Sequence, residues 1–87
     1  MNKPLIELSS VQYVGEDLRR PESVVITAKG EIFVSDQISA VRQLGQPRKT
    51  LVGMPEGFLP NGIALTPQRE FLIANLSPAT GGGIWRI

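Results

Sequence analysis

Two residues with oxygen-donor side chains stand at matched places in this chain. Glu22 and Asn61 each follow a proline, Pro21 and Pro60, and each leads into a short apolar run, "SVVIT" and "GIALT". They are 39 positions apart. A carboxylate and an amide carbonyl are hard donors, suited to a hard divalent cation such as Ca²⁺. Calcium takes roughly six to eight oxygens, so two protein donors make only part of a shell. Each residue also has a plainer reading. Glu22 reads equally as a solvated residue ahead of a strand, and Asn61-Gly62 is a common turn dipeptide. The neighbours of Asn61 set it before a strand rather than inside a two-residue hairpin.

Other chemistry is narrow. The 87 residues include no cysteine and no histidine. That excludes thiol chemistry and disulfides, leaves the redox compartment open, and removes the usual general base and the usual zinc ligand. Asp36 and Asn75 end equivalent apolar runs and are read as turn caps, bonding backbone through their side chains, rather than as catalytic groups. Trp85 is read as a packing residue rather than a substrate platform. Gly81-Gly82-Gly83 invites comparison with a phosphate cradle, but no helix pattern follows it and no lysine is placed as in a P-loop, so it reads as a loop. Arg19, Arg20 and Arg86 are expected to face solvent.

The elements that must position Glu22 and Asn61 are written twice. "RPESVVITAKGEIFVSD" (20–36) and "LPNGIALTPQREFLIAN" (59–75) match at an offset of 39: Pro21 on Pro60, Thr27 on Thr66, Glu31 on Glu70, Asp36 on Asn75. The register then shifts by four, and "AVRQL" falls on "GIWRI". The extra residues sit in "SPATGGG", where insertion costs little. "SVVIT" and "EIFVS" are short and rich in β-branched and aromatic residues, and "AKG" between them fits a three-residue hairpin loop with Gly30 at positive φ. "AVRQL" predicts a third strand and "KTLVG" a weaker fourth, at an outer edge. "GIALT", "EFLIA" and "GIWRI" predict three strands in the second copy. "VQYVG" near the N-terminus predicts a further strand, the outer one of a neighbouring repeat. Helical periodicity is absent, and Pro and Gly are too frequent for long helices.

A period near 40 residues built of short strands is the spacing of a propeller blade. The nearly continuous apolar runs fit strands covered on both faces. In a propeller, equivalent positions of successive blades lie on a ring about the axis, so Glu22 and Asn61 would face a common point. The alternative is a small β-sandwich or meander with two similar hairpins.

Composition restricts partners. The chain is 41% hydrophobic and 20% charged, with a net charge of +1. Its nine basic residues are scattered, with Arg19-Arg20 and Arg48-Lys49 the only adjacent pairs, which is no footprint for nucleic acid. No apolar run approaches the roughly 18 residues of a membrane span. "MNKPLIELSS" has no signal-peptide core, so the default expectation is a cytoplasmic protein.

The two copies, "PNGIAL" above all, resemble the SMP-30/gluconolactonase family, which includes luciferin-regenerating enzymes, over roughly residues 19–87. The "PES" motif is shared more loosely, also with strictosidine-synthase-like propellers. The resemblance implies an all-β fold, a six-bladed β-propeller of which this chain holds about two four-stranded antiparallel blades. It implies a divalent cation, commonly Ca²⁺, at one mouth of the central channel, with Glu22 and Asn61 among its ligands. The match at Glu22 departs from the family's usual Glu-Gly-Pro. The family's later asparagine and aspartate ligands, and its proposed catalytic aspartate, have no counterpart here. The implied activity is hydrolysis of sugar-acid lactones, the metal polarising the carbonyl and acidifying an attacking water.

The resulting division is an N-terminal segment with a possible outer strand (1–18), a first repeat (19–57) and an incomplete second repeat (58–87). Six repeats of this period need about 234 residues. The expectation is therefore a fragment of a metal-dependent lactone hydrolase, inactive alone, that meets its missing blades in another chain or associates with itself. Three copies would supply six blades. The alternative is a non-catalytic repeat module, or a truncated gene product, that binds another protein.

Overall fold

Two hairpin-plus-strand units, built from the two sequence copies, make up the chain in a computed structural model that describes residues 5–45 and 57–87. The first sheet is β1 (Val24–Ile26), β2 (Ile32–Asp36) and β3 (Ala40–Gln43), in that order and antiparallel. The second is β4 (Pro60–Leu65), β5 (Phe71–Asn75) and β6 (Gly83–Arg86), with the same order and sense. Single 3₁₀ turns lie at Leu8–Ser10 and Pro78–Thr80, and there is no α-helix among the described residues. Among those residues no helix is long and apolar enough to cross a membrane. The fold is thus all-β, with three strands in each sheet among the described residues. The fourth strand expected at "KTLVG" lies outside the described residues.

The duplication extends to individual bonds. In the first β-hairpin the Thr27 N–H donates to the Glu31 carbonyl (3.0 Å) and the Gly30 N–H to the Thr27 carbonyl (2.9 Å). In the second, Thr66 N–H donates to the Glu70 carbonyl (2.8 Å) and Arg69 N–H to the Thr66 carbonyl (2.9 Å). Each threonine hydroxyl also accepts the N–H of its glutamate. Closing such a three-residue loop takes a left-handed residue in the last position. Gly30 fills it at φ +85°, and Arg69 does so at +67° without a glycine's freedom. The four-residue shift between copies is equally visible in the pairing. Asp36 lies opposite Ala40 and Asn75 opposite Gly83, and both partners have positive φ, +62° and +96°.

The sheets stack face to face. Val25, Phe33 and Val41 on one side meet Ile63, Leu65, Phe71 and Ile73 on the other, with Phe58 and Ala40 closing the cluster. The Phe33 and Phe71 rings meet edge to face at 4.9 Å, a favoured aromatic geometry. Between the sheets one face of each is covered, and on the outer face of the first Val34 and Asp36 are buried too, beside Arg42, which holds the carbonyls of the N-terminal segment. Leu72 and Ile84 on the outer side of the second sheet are exposed, as are Val24 and Ile26 on the outer side of the first.

The N-terminal segment lies apart from the core. Leu5, Leu8 and Tyr13 stand in solvent, and Val11–Gly15 is not assigned to any strand. The segment is fastened near its end. Arg42 Nη1 donates to the Glu16 and Asp17 carbonyls (3.0 and 2.9 Å), and the Gln37 N–H donates to the Arg19 carbonyl (2.9 Å).

Candidate functional site

Serine hydroxyls hold the segment before β1 and the backbone within β4. Ser35 Oγ, fully buried on β2, accepts the N–H groups of Glu22 and Ser23 at 3.1 and 3.0 Å. Ser35 N–H in turn donates to the Ser23 carbonyl. The backbone at Glu22 therefore has a fixed course, while its carboxylate points outward and pairs with Arg20 at 3.4 Å. Ser23 Oγ accepts the Ile63 N–H across the sheets at 3.3 Å. This bond ties the residue before β1 to Ile63 within β4. Glu22 is its immediate neighbour on one strand, and Asn61 is two residues away on the other.

Asn61 sits in an irregular stretch. Pro60 pairs with Asn75 and Ile63 with Ile73, so Asn61 and Gly62 fall where the ladder shifts register. A bulge of this kind re-aims side chains, and bulges are frequent beside active sites. Among the described residues Asn61 and Glu22 share no hydrogen bond, and no group of three or more acidic, cysteine or histidine side chains is positioned to hold a metal.

Asp36 and Asn75 do equivalent work. Asp36 Oδ1 accepts the Arg19 N–H (2.8 Å), and Asn75 Oδ1 accepts the N–H of Leu59 and of Ser77 (3.1 Å each). Each side chain thus latches the segment leading into its sheet's first strand. The other Asp36 oxygen takes the Ser39 hydroxyl (3.1 Å) and lies 3.5 Å from Arg42 Nε. Asn75 Nδ2 instead donates to Thr80 Oγ1 at 2.7 Å. The bonds are structural: Asn75 to the Ser77 N–H is a turn cap of the kind the sequence suggested, while those to Arg19 and Leu59 reach across 17 and 16 residues.

Trp85 packs edge to face on the buried Phe58, centroids 4.9 Å apart. The N–H groups of Gly81 and Gly82 are used within their own loop, donating to the Pro78 and Ser77 carbonyls, which leaves them unavailable to a phosphate. Arg86 is exposed and pairs with Glu70 at 3.4 Å.

One pair was not singled out from sequence. Arg69 grips Glu31 with two bonds, 2.8 and 3.0 Å, joining the two hairpin loops. That hydrogen bond from Arg69 holds the Glu31 carboxyl below its ordinary value against the opposing effect of burial, with the Thr27 hydroxyl adding to it. The same partner raises the Arg69 guanidinium further, and its charge lies 5.9 Å from the Phe33 ring centroid. The signal available was the repeat itself: arginine stands at 69 where the loop geometry favours the glycine found at 30.

Comparison with protein-family models, curated proteins and solved structures gives no match to this chain.

The donor set fits a hard cation in kind. One carboxylate and one amide oxygen are correct for Ca²⁺. It falls short in number, and Arg20 competes for the Glu22 carboxylate. By themselves these residues do not make a calcium site, and no reaction step can be derived through such an ion here.

Proposed function

We propose that the chain supplies two adjacent blades of a propeller-type, metal-dependent lactone hydrolase, with Glu22 and Asn61 as two of the oxygen ligands of a divalent cation. The remaining ligands and the catalytic base belong to other blades, so the isolated chain is inactive on lactones. The observation that carries this reading is the bond from Ile63, within β4 two residues past Asn61, to Ser23, next to Glu22. It supports an arrangement in which equivalent strands approach one another at the end where both candidate ligands lie. The bulge at Asn61-Gly62 supports it further.

The test is hydrolysis of sugar-acid lactones in calcium and in chelator, on the chain in whatever assembled state it adopts. Calcium-dependent hydrolysis that is lost in Glu22→Gln and in Asn61→Ala supports the proposal. Hydrolysis that survives both substitutions, or is indifferent to chelation, overturns it.

A second reading is a non-catalytic repeat module that binds another protein. It is favoured by the exposed apolar faces of both sheets and by the pairing of Glu22 with Arg20. A tight protein partner retained in chelator would support it.

A further inference from the structure

The two exposed sheet faces have complementary histories within the repeat. On the first sheet, Val25, Phe33 and Val41 are covered by the second sheet. Their equivalents on the second sheet, at offsets of 39, 39 and 43, are Ala64, Leu72 and Ile84, all exposed. On the second sheet, Ile63, Leu65, Phe71 and Ile73 are packed against the first. Their equivalents there are Val24, Ile26, Ile32 and Val34. Val34 is buried beside Arg42, which holds the Glu16 and Asp17 carbonyls, so the open part of that face is at Val24 and Ile26, 59% and 68% exposed. So the open face of the second sheet repeats the covered face of the first, and the open part of the first sheet's outer face, at Val24 and Ile26, repeats part of the covered face of the second. The interface inside the chain is a template for one between chains.

We propose that the chain associates with itself head to tail, the outer face of the second sheet seated on the outer face of the first sheet of a second copy. The contact is heterologous, because the two surfaces differ, and a pair keeps one unused face of each kind, one on each copy. Charge agrees with this docking. Within the chain Glu31 faces Arg69, and Lys29 also acts on Glu31. Glu70, the equivalent of Glu31, would meet the loop 28–30 of the next copy, where Lys29 would join Arg86 of its own chain as a partner. The inter-chain contact lacks two features of the internal one. Gly62 stands in the place of Ser23 and Gly30 in the place of Arg69, so neither the hydroxyl bond nor the paired guanidinium recurs. The association is therefore weaker than the internal packing and depends on concentration.

This inference rests on the repeat and its burial, not on the lactonase reading, and no metal enters its test. The experiment is sedimentation velocity of the full chain over a hundredfold range of concentration, with Leu72→Glu and Ile26→Glu. Both positions are solvent-exposed in the single chain, and circular dichroism checks that each variant keeps its strands. The expected result is growth of the wild type with concentration, and a monomer for each variant alone. An equimolar mixture of the two variants should return to a dimer and go no further, because each retains the one face the other has lost. A wild type that stays monomeric throughout, loss of association in only one variant, or a mixture that remains monomeric overturns the proposal. A symmetric contact between identical faces would be abolished by one substitution and untouched by the other.

Discussion

Asp36 and Asn75 occupy equivalent positions and offer a reciprocal exchange. Asp36 is fully buried, and three donors converge on it: the Arg19 N–H, the Ser39 hydroxyl and Arg42 Nε. Asp36→Ala leaves all three without that acceptor. A buried donor left unsatisfied costs about 1–3 kcal/mol, and breaking a buried ion pair about 3–5 kcal/mol. Arg42 keeps two backbone carbonyls and is 13% exposed, so the lower end applies, about 3–4 kcal/mol in all. A chain of 87 residues has a total stability of about 4–13 kcal/mol, so Asp36→Ala is expected to bring the fold close to its limit. Asp36→Asn keeps an oxygen for the Arg19 N–H and an amide that can donate to Ser39, as Asn75 donates to Thr80. It loses only the charge opposite Arg42, about 1 kcal/mol.

The reverse exchange is not equivalent. Trp85 stands in the second sheet where Arg42 stands in the first, so a carboxylate at position 75 lacks the cation that Asp36 has from its own sheet. Asn75 is buried, and Asn75→Asp is expected to cost about 2–3 kcal/mol, more than Asp36→Asn. Urea unfolding followed by circular dichroism and by Trp85 fluorescence measures all three. At a slope of about 1–3 kcal/mol per molar urea, Asp36→Ala lowers the midpoint by roughly 1–4 M. An Asp36→Ala midpoint within error of the wild type would refute the latch. Asn75→Asp no worse than Asp36→Asn would refute the role given to Arg42.

Three further outcomes follow from packing and charge. Phe71→Ala removes the ring that meets Phe33 between the sheets and should cost about 3–5 kcal/mol in the same urea assay. Ala40→Gly relieves a left-handed backbone (φ +62°) and gives up one buried methyl, so it should fall within about 0.5 kcal/mol of the wild type, whereas Ala40→Val should lose about 1–3 kcal/mol to strain. The Glu31–Arg69 pair should make stability depend on pH. The folded-state carboxyl is lowered from its ordinary value of 4.5, so its contribution is complete above that value and disappears as pH falls through the lowered one. The urea midpoint of Arg69→Gln should therefore lie below that of the wild type at pH 6 and converge with it in strong acid, and a gap that stays constant would count against the pair.

The strands were legible because their residues are β-branched or aromatic and each run is bounded by turn chemistry. The offset of 39, then 43, is reproduced by the bonds of both hairpins and by the pairing of Asp36 with Ala40 and Asn75 with Gly83. Gly30 was legible as a left-handed residue. Arg69 and Ala40 were not, since a side chain tolerates positive φ only when surrounding contacts compensate, and those contacts come from distant sequence. Arg69 is held by Glu31, 38 positions away. The environment of the candidate ligands was hidden for the same reason. The course of the chain at Glu22 is set by Ser35, and the tie between the two repeats by Ser23, serines that carry no apolar signal.

What a sequence period leaves open is which faces of its strands are covered. Phe33 and Leu72 are equivalent in every local respect: both sit centrally in a middle strand, both are large and apolar, and both have the same ladder neighbours by offset. Phe33 is 3% exposed and Leu72 is 36% exposed. The difference arises from stacking order alone, because the first sheet has the second on that side and the second has nothing equivalent among the described residues. A repeat that writes apolar residues on both faces of every sheet therefore specifies an interface once for each neighbour a sheet can have. Within this chain that interface is realised once, between Val25, Phe33 and Val41 and the face bearing Phe71 and Ile73. The unused halves remain at the two outer surfaces, where burial of apolar area gives the driving force for a further copy to add.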